Sequence, residues 1–169
     1  MNAVSVGLIP LVVVWLIAGT VLSVIDVRTH RLPNAIVLRL YPVVALALVA
    51  AGLIDRTWPV QSALIGAGIW LGLLGLVWAG TGGSGMGFGD VKLAPLLGAS
   101  LGWVGWEFAV VGLIAAWVLG GLWAGVLMLC HRATRASVMA FGPFLVGGFW
   151  LALLAWPSLS SDALQGMWT

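Results

Sequence analysis

Val6 to Ile25 reads VGLIPLVVVWLIAGTVLSVI, and Asp26 follows it directly. About 20 apolar residues is the length an α-helix needs to cross a hydrocarbon core. Backbone N–H and C=O groups find no water there, so a crossing run must bond internally as a helix. The residues before it include no Lys or Arg, whereas a secretory signal begins with a positive stretch. The run is therefore expected to be a retained transmembrane helix.

Similar runs recur outward from this one: about Ala35 to Ile54, Pro59 to Ala79, Val91 to Trp103, Glu107 to Leu129 and Val138 to Trp156. The fourth is short, as expected of a tilted or partly buried segment. A glycine-rich stretch, Gly80 to Gly89, leads into it through Asp90, and a polar tail with Asp162 closes the chain. Of the 169 residues, 62% are hydrophobic and 7% charged, and the mean hydropathy is +1.16. A soluble domain carries about a quarter charged residues, so this chain cannot clothe a water-facing surface. The reading is all-α: a polytopic membrane helix bundle of about six transmembrane helices, with residues 1–169 forming one transmembrane domain.

The basic residues set an orientation. With the first loop in the cytoplasm, Arg28, Arg31, Arg39, Lys92, Arg132 and Arg135 all fall on that side, six of the seven cations, and Arg56 lies opposite. Both termini are then expected outside the cytoplasm, in a multi-pass cell-membrane protein. Trp15, Trp58, Trp103, Trp106 and Trp156 fall near predicted helix ends, as an interfacial belt would. So few cations, scattered in this way, do not make a nucleic-acid face.

Two acids draw attention. Asp26 and Asp90 are expected at the same membrane face, where a carboxylate at the edge of hydrocarbon is costly and tends to be functional. Brought together in a partly dry cleft, two carboxyls share one proton. One takes a proton from water while the other, protonated, polarises a scissile carbonyl. The structural alternative is that Asp26 pairs with Arg28 or Arg31 and Asp90 caps its helix. The run Gly82 to Gly89 can adopt backbone angles closed to other residues, and an extended substrate could lie along it; it could equally be a plain linker. It lacks the Gly-Lys-Ser/Thr ending of a phosphate loop.

The motifs carry a specific resemblance. Asp26 is followed by Leu32-Pro33-Asn34, the stretch Gly85-Met86-Gly87-Phe88-Gly89-Asp90-Val91-Lys92-Leu93 contains Gly-x-Gly-Asp and Val-Lys-Leu, and Gly142-Pro143-Phe144 lies near the C-terminus. Together, in this order, they resemble the type IV prepilin peptidases. The resemblance implies an aspartic endopeptidase with Asp26 and Asp90 as its dyad. It would cut the basic leader of prepilin or pseudopilin-like substrates at the cytoplasmic membrane face. It implies substrate-binding or loop-positioning roles for Gly85, Gly87, Gly89, Lys92, Pro33, Asn34, Gly142 and Pro143. Lys92 would anchor its helix at the interface or bias the dyad. Larger family members carry an N-terminal segment with two Cys pairs linked to methyl transfer; with one Cys here, peptidase activity without methyl transfer is expected.

No cofactor is implied, and the partners expected are a prepilin-like substrate and membrane lipid, not nucleic acid. His30 and His131 lack a third ligand at suitable spacing for a metal. Cys130 is expected to be a buried small hydrophobe, and Glu107, Asp55 and Asp162 to be solvated on the outer side. Pro143 is expected to kink the last helix. Gly66/Gly72, Gly98/Gly102 and Gly120/Gly121 are expected to allow close helix packing. Two other functions fit parts of the sequence: an ion- or proton-coupled transporter using the two acids, and a non-catalytic membrane component of a secretion or pilus assembly.

Overall fold

The computed structural model describes residues 6–29, 32–83, 86–130 and 140–159, with side chains to residue 155. Among these residues lie a 3₁₀ turn, Val6–Leu8, and six α-helices: α1 Ile9–Thr29, α2 Asn34–Asp55, α3 Val60–Gly80, α4 Phe88–Val104, α5 Trp106–Leu129 and α6 Gly142–Leu159. The all-α membrane bundle expected from the apolar runs is the fold observed. Arg31, Arg132, Arg135, His30, His131, Asp162 and Gly85 lie outside the described residues.

The helix ends follow local chemistry. Pro33, extended at φ −67° and ψ 121°, starts α2, and its carbonyl accepts the N–H groups of Ile36 and Val37. Gly82 and Gly83 take φ of 60° and 77°, a left-handed region glycine enters without steric cost. The Gly83 N–H then returns to the Trp78 carbonyl at 2.9 Å and closes α3. Gly105 alone separates α4 from α5.

α4 is the hub. It packs against α2, α3, α5 and α6, and buries Asp90, Val91, Leu93, Ala94, Leu97, Ser100 and Leu101, among others. Its 17 residues are fewer than the roughly 20 a lipid-facing crossing needs, and it is ringed by protein instead. α1, α2, α3 and α5 are each long and apolar enough to cross a membrane, and Gly142–Ala155 forms a shorter apolar helix. Leu16 and Ile17 on α1, Leu46 and Leu53 on α2, Leu64 and Leu76 on α3, and Leu122 on α5 face outward. An apolar surface of this extent suits lipid and not water.

Glycines set how closely the helices approach. Gly66 of α3 and Gly98 of α4 are in backbone contact, and a Cβ on Gly102 would meet the Ser62 carbonyl at 2.5 Å. Gly112 of α5 and Gly148 of α6 form a second such pair, which the sequence reading did not single out. Gly72 and Gly121 face open space, so their expected packing role is corrected; Gly120 packs on the Phe141 ring.

Four other expectations change. Trp15 is fully buried and donates its indole N–H to Ser100 Oγ at 2.8 Å, so it is a core residue and not part of a belt. Trp103 is also buried, stacked edge-on against the exposed Trp58. Cys130 is exposed at the end of α5. Asp55 is half-buried and accepts the Gly7 N–H at 3.1 Å, satisfying a donor at the start of the first helix.

Candidate active site

Asp26 belongs to the inward stripe of α1. The buried positions on that helix are Leu11, Trp15, Gly19, Leu22 and Asp26, spaced three or four apart as one helix face requires. α1 runs one turn beyond Ile25, which carries Asp26 inside the helix, where it is 3% exposed. Gly19 admits the Val146 side chain of α6, and further along the same seam Asp26 reaches the start of α6. There Gly142 donates its backbone N–H to Asp26 Oδ2 at 2.8 Å. The first N–H groups of a helix have no partner within it, and the positive end of the helix dipole suits an acidic side chain. A Cβ at Gly142 would lie 2.7 Å from Oδ2, so the close approach requires glycine.

Pro143 is the second residue of α6. In a first turn the missing proline N–H breaks no helical bond. The kink expected there is therefore corrected; Pro42 of α2 and Pro95 of α4 do lie inside helices.

Asp90 lies in the first turn of α4 and is 4% exposed. Gly87 is the residue preceding that helix, and its carbonyl accepts the Asp90 N–H at 3.0 Å. The Gly87 backbone N–H in turn donates to the Asp90 carboxyl. This is one half of a capping box, in which the third helical residue reaches back to the N-cap N–H; Gly87 has no side chain to complete it. This bond does not use the whole carboxyl: Oδ1 is buried without a hydrogen-bond partner among the described residues. Buried polar atoms are nearly always partnered, which makes Oδ1 the most conspicuous polar atom of the site. Asp26 at the C-terminal end of α1 and Asp90 at the N-terminal end of α4 lie within charge–charge range at one end of the bundle.

The residues around the acids are also tied to each other. A Cβ on Gly89 would meet the Leu32 Cβ at 2.6 Å and its carbonyl oxygen at 3.1 Å; the stretch before Asp90 thus packs on the stretch after Asp26. Lys92 Nζ donates to Asn34 Oδ1 at 2.9 Å and lies 4.7 Å from the centre of the Phe88 ring. Tyr41 donates its hydroxyl to the Lys92 carbonyl at 2.8 Å, and Trp78 stacks on Phe88 at 4.9 Å. Pro33 is half-buried at the start of α2, and Gly87 is exposed. Tyr41 and Trp78 were not singled out from the sequence, and Leu32 and Phe88 were quoted within the motifs without a role. Tyr41, the one tyrosine of the chain, interrupts an apolar run and was the available signal.

Known proteins resemble this chain in sequence. The family model described as the type IV leader peptidase family matches residues 11–125, a stretch that includes both acids. The chain is 32% identical over 153 residues to a protein of Stutzerimonas stutzeri named prepilin leader peptidase/N-methyltransferase, covering 85% of this chain and 49% of that one. It is 40% identical over 144 residues to the protein of that name from Escherichia coli strain K12, covering 81% and 60% respectively. A Pseudomonas putida protein of the same name is 35% identical over 149 residues, covering 85% and 49%. The chain thus spans about half to three-fifths of the length of these relatives. No solved structure matches significantly. On the family match and on identities above 30% across most of its length, the chain belongs to the type IV leader peptidase family.

Proposed function

We propose that the chain is a membrane aspartic endopeptidase that removes the basic leader of prepilin or pseudopilin-like substrates at the cytoplasmic face. The observation that carries this reading is the placement of two buried acids, Asp26 and Asp90, at one end of the bundle, one held by a helix N-terminus and the other with a buried oxygen unpartnered among the described residues. The relatives named prepilin leader peptidase support the leader-peptidase chemistry.

In this mechanism the two carboxyls act on one water. One takes its proton as the water attacks the scissile carbonyl; the other, protonated, hydrogen-bonds the carbonyl oxygen and then the departing amine. The dyad titrates as a unit. Gly142 fixes Asp26 Oδ2, Gly87 fixes one side of Asp90, and Asp90 Oδ1 is the oxygen available to the water or the carbonyl. Arg28, Arg39 and Lys92 lie on helix segments at this same end, which supports placing it in the cytoplasm by the positive-inside rule.

Both acids lie in terminal helical turns, whereas transporter sites lie near the bilayer midplane within broken helices; this favours the peptidase over the transporter. The test is purified protein in lipid vesicles with a prepilin, read by mass spectrometry of the products. The reading expects one cut between leader and mature chain, and ion flux without any cut would overturn it.

A further inference from the structure

Among the described residues, Lys92 is held by groups other than the two acids. Its ammonium group lies between Asn34 Oδ1 and the Phe88 ring, its carbonyl accepts the Tyr41 hydroxyl, and these are its side-chain-mediated partners among the described residues. Asn34 is the first residue of α2 and Phe88 the first of α4. The Lys92–Asn34 bond spans 58 positions of sequence and the Tyr41–Lys92 bond 51. Between them they fasten the first turns of α2 to the first turn of α4, the turn that carries Asp90. In the same turn, Gly89 rests on Leu32, just ahead of α2.

Four neighbouring helices hold the body of α4, so this link bears on its N-terminal turn. Its glycine-rich approach includes two left-handed residues, Gly82 and Gly83, and glycine carries the largest conformational freedom of any residue. The turn bearing Asp90 thus follows a stretch rich in glycine. A hydrogen bond to a charged donor is stronger than a neutral one, and a cation over an aromatic face adds to it.

We propose that Lys92, Asn34 and Tyr41 form a strap that positions Asp90 against Asp26, with Lys92 and Asn34 as positioning residues of the reaction and not as ligands of the substrate. The proposal rests on the peptidase reading. Displacement of a reacting group by about 1 Å can cost on the order of 100-fold in rate. Loss of an interaction that never touches substrate leaves substrate binding alone and falls on kcat.

The experiment compares the wild-type chain with Lys92→Met, Asn34→Ala, their double variant, Asn34→Asp and Tyr41→Phe, reconstituted in lipid vesicles. Each is measured for kcat and KM on a prepilin and, separately, for amide hydrogen exchange. Lys92→Met and Asn34→Ala should each lower kcat by about 10- to 100-fold with KM held within about twofold. The double variant should be no worse than the weaker single, because the two residues make one bond. Asn34→Asp keeps an acceptor for Lys92 and should recover most of what Asn34→Ala loses. Tyr41→Phe should show a smaller loss of the same kind. Exchange should rise in residues 86–92 and not elsewhere. Losses that add in the double variant, a loss confined to KM, an Asn34→Asp as poor as Asn34→Ala, or unchanged exchange in residues 86–92 would each overturn the strap. A wild-type chain that cuts no prepilin would instead overturn the peptidase reading, and the exchange measurement would still decide whether the strap orders α4.

Discussion

Gly142 places its backbone N–H 2.8 Å from Asp26 Oδ2, across 116 positions of sequence. This contact joins the last of the three motifs to the first, and it explains why the motif begins with glycine: the N-terminus of α6 must reach a buried carboxyl with no side chain in the way. The contact is also the point at which substitution is most informative.

Gly142→Ala keeps the N–H and adds a methyl group 2.7 Å from Oδ2. The carboxyl or the helix must shift. Prepilin cleavage should fall by about 100-fold while the protein remains in the membrane at wild-type level. Cleavage within about twofold of wild type would show that the Asp26 position tolerates this shift.

Gly89→Ala sets a methyl group against Leu32, 2.6 Å from its Cβ and 3.1 Å from its carbonyl oxygen. Part of the obstacle is backbone, which cannot rotate away. Overpacking of this kind costs about 1–3 kcal/mol. The expected result is a lower unfolding midpoint in detergent together with reduced cleavage.

Ser100→Ala removes the acceptor of the buried Trp15 indole N–H. Ser100 also donates to the Leu96 carbonyl within α4, so the variant leaves a buried donor unpaired between α1 and α4. The cost expected for an orphaned buried donor is about 1–3 kcal/mol. Thermal unfolding of the purified protein measures it, and Trp15→Phe in the Ser100→Ala background should recover part of the loss.

Gly112→Leu tests the second glycine seam. Gly112 and Gly148 touch through backbone, and Leu101 and Ala152 close the space beside them. A leucine there forces α5 from α6. The variant should fail to accumulate as folded protein, whereas Gly121→Leu, at a position facing open space, should accumulate normally.

Much of the fold was legible because lipid imposes length. The apolar runs predicted helix existence closely, and α2, α3 and α5 begin and end within about two residues of the expected positions, the usual scatter of helix boundaries. Which face of each helix turns inward was not legible. A helix that is apolar on every side has no periodic stripe to read, so Trp15 passed for an interfacial residue, and Gly112 and Gly148 gave no sign of pairing. Asp26 and Asp90 stood out because acids are so few. Their relation to Gly142, and the link from Lys92 to Asn34, depend on how distant helices pack, which local spacing does not encode. Pro143 misled for a similar reason: the same residue kinks a helix interior but fits a first turn, and only the position of the α6 start distinguishes them.

The central claim is that Asp26 and Asp90 work as one unit. Its most direct measurement co-expresses the chain with a prepilin and follows the mobility shift that marks leader removal, for the wild type, Asp26→Asn, Asp90→Asn and the double variant. The account predicts no shift with either single variant, each as inactive as the double, with all four proteins present in the membrane. Continued processing by either single variant would contradict it.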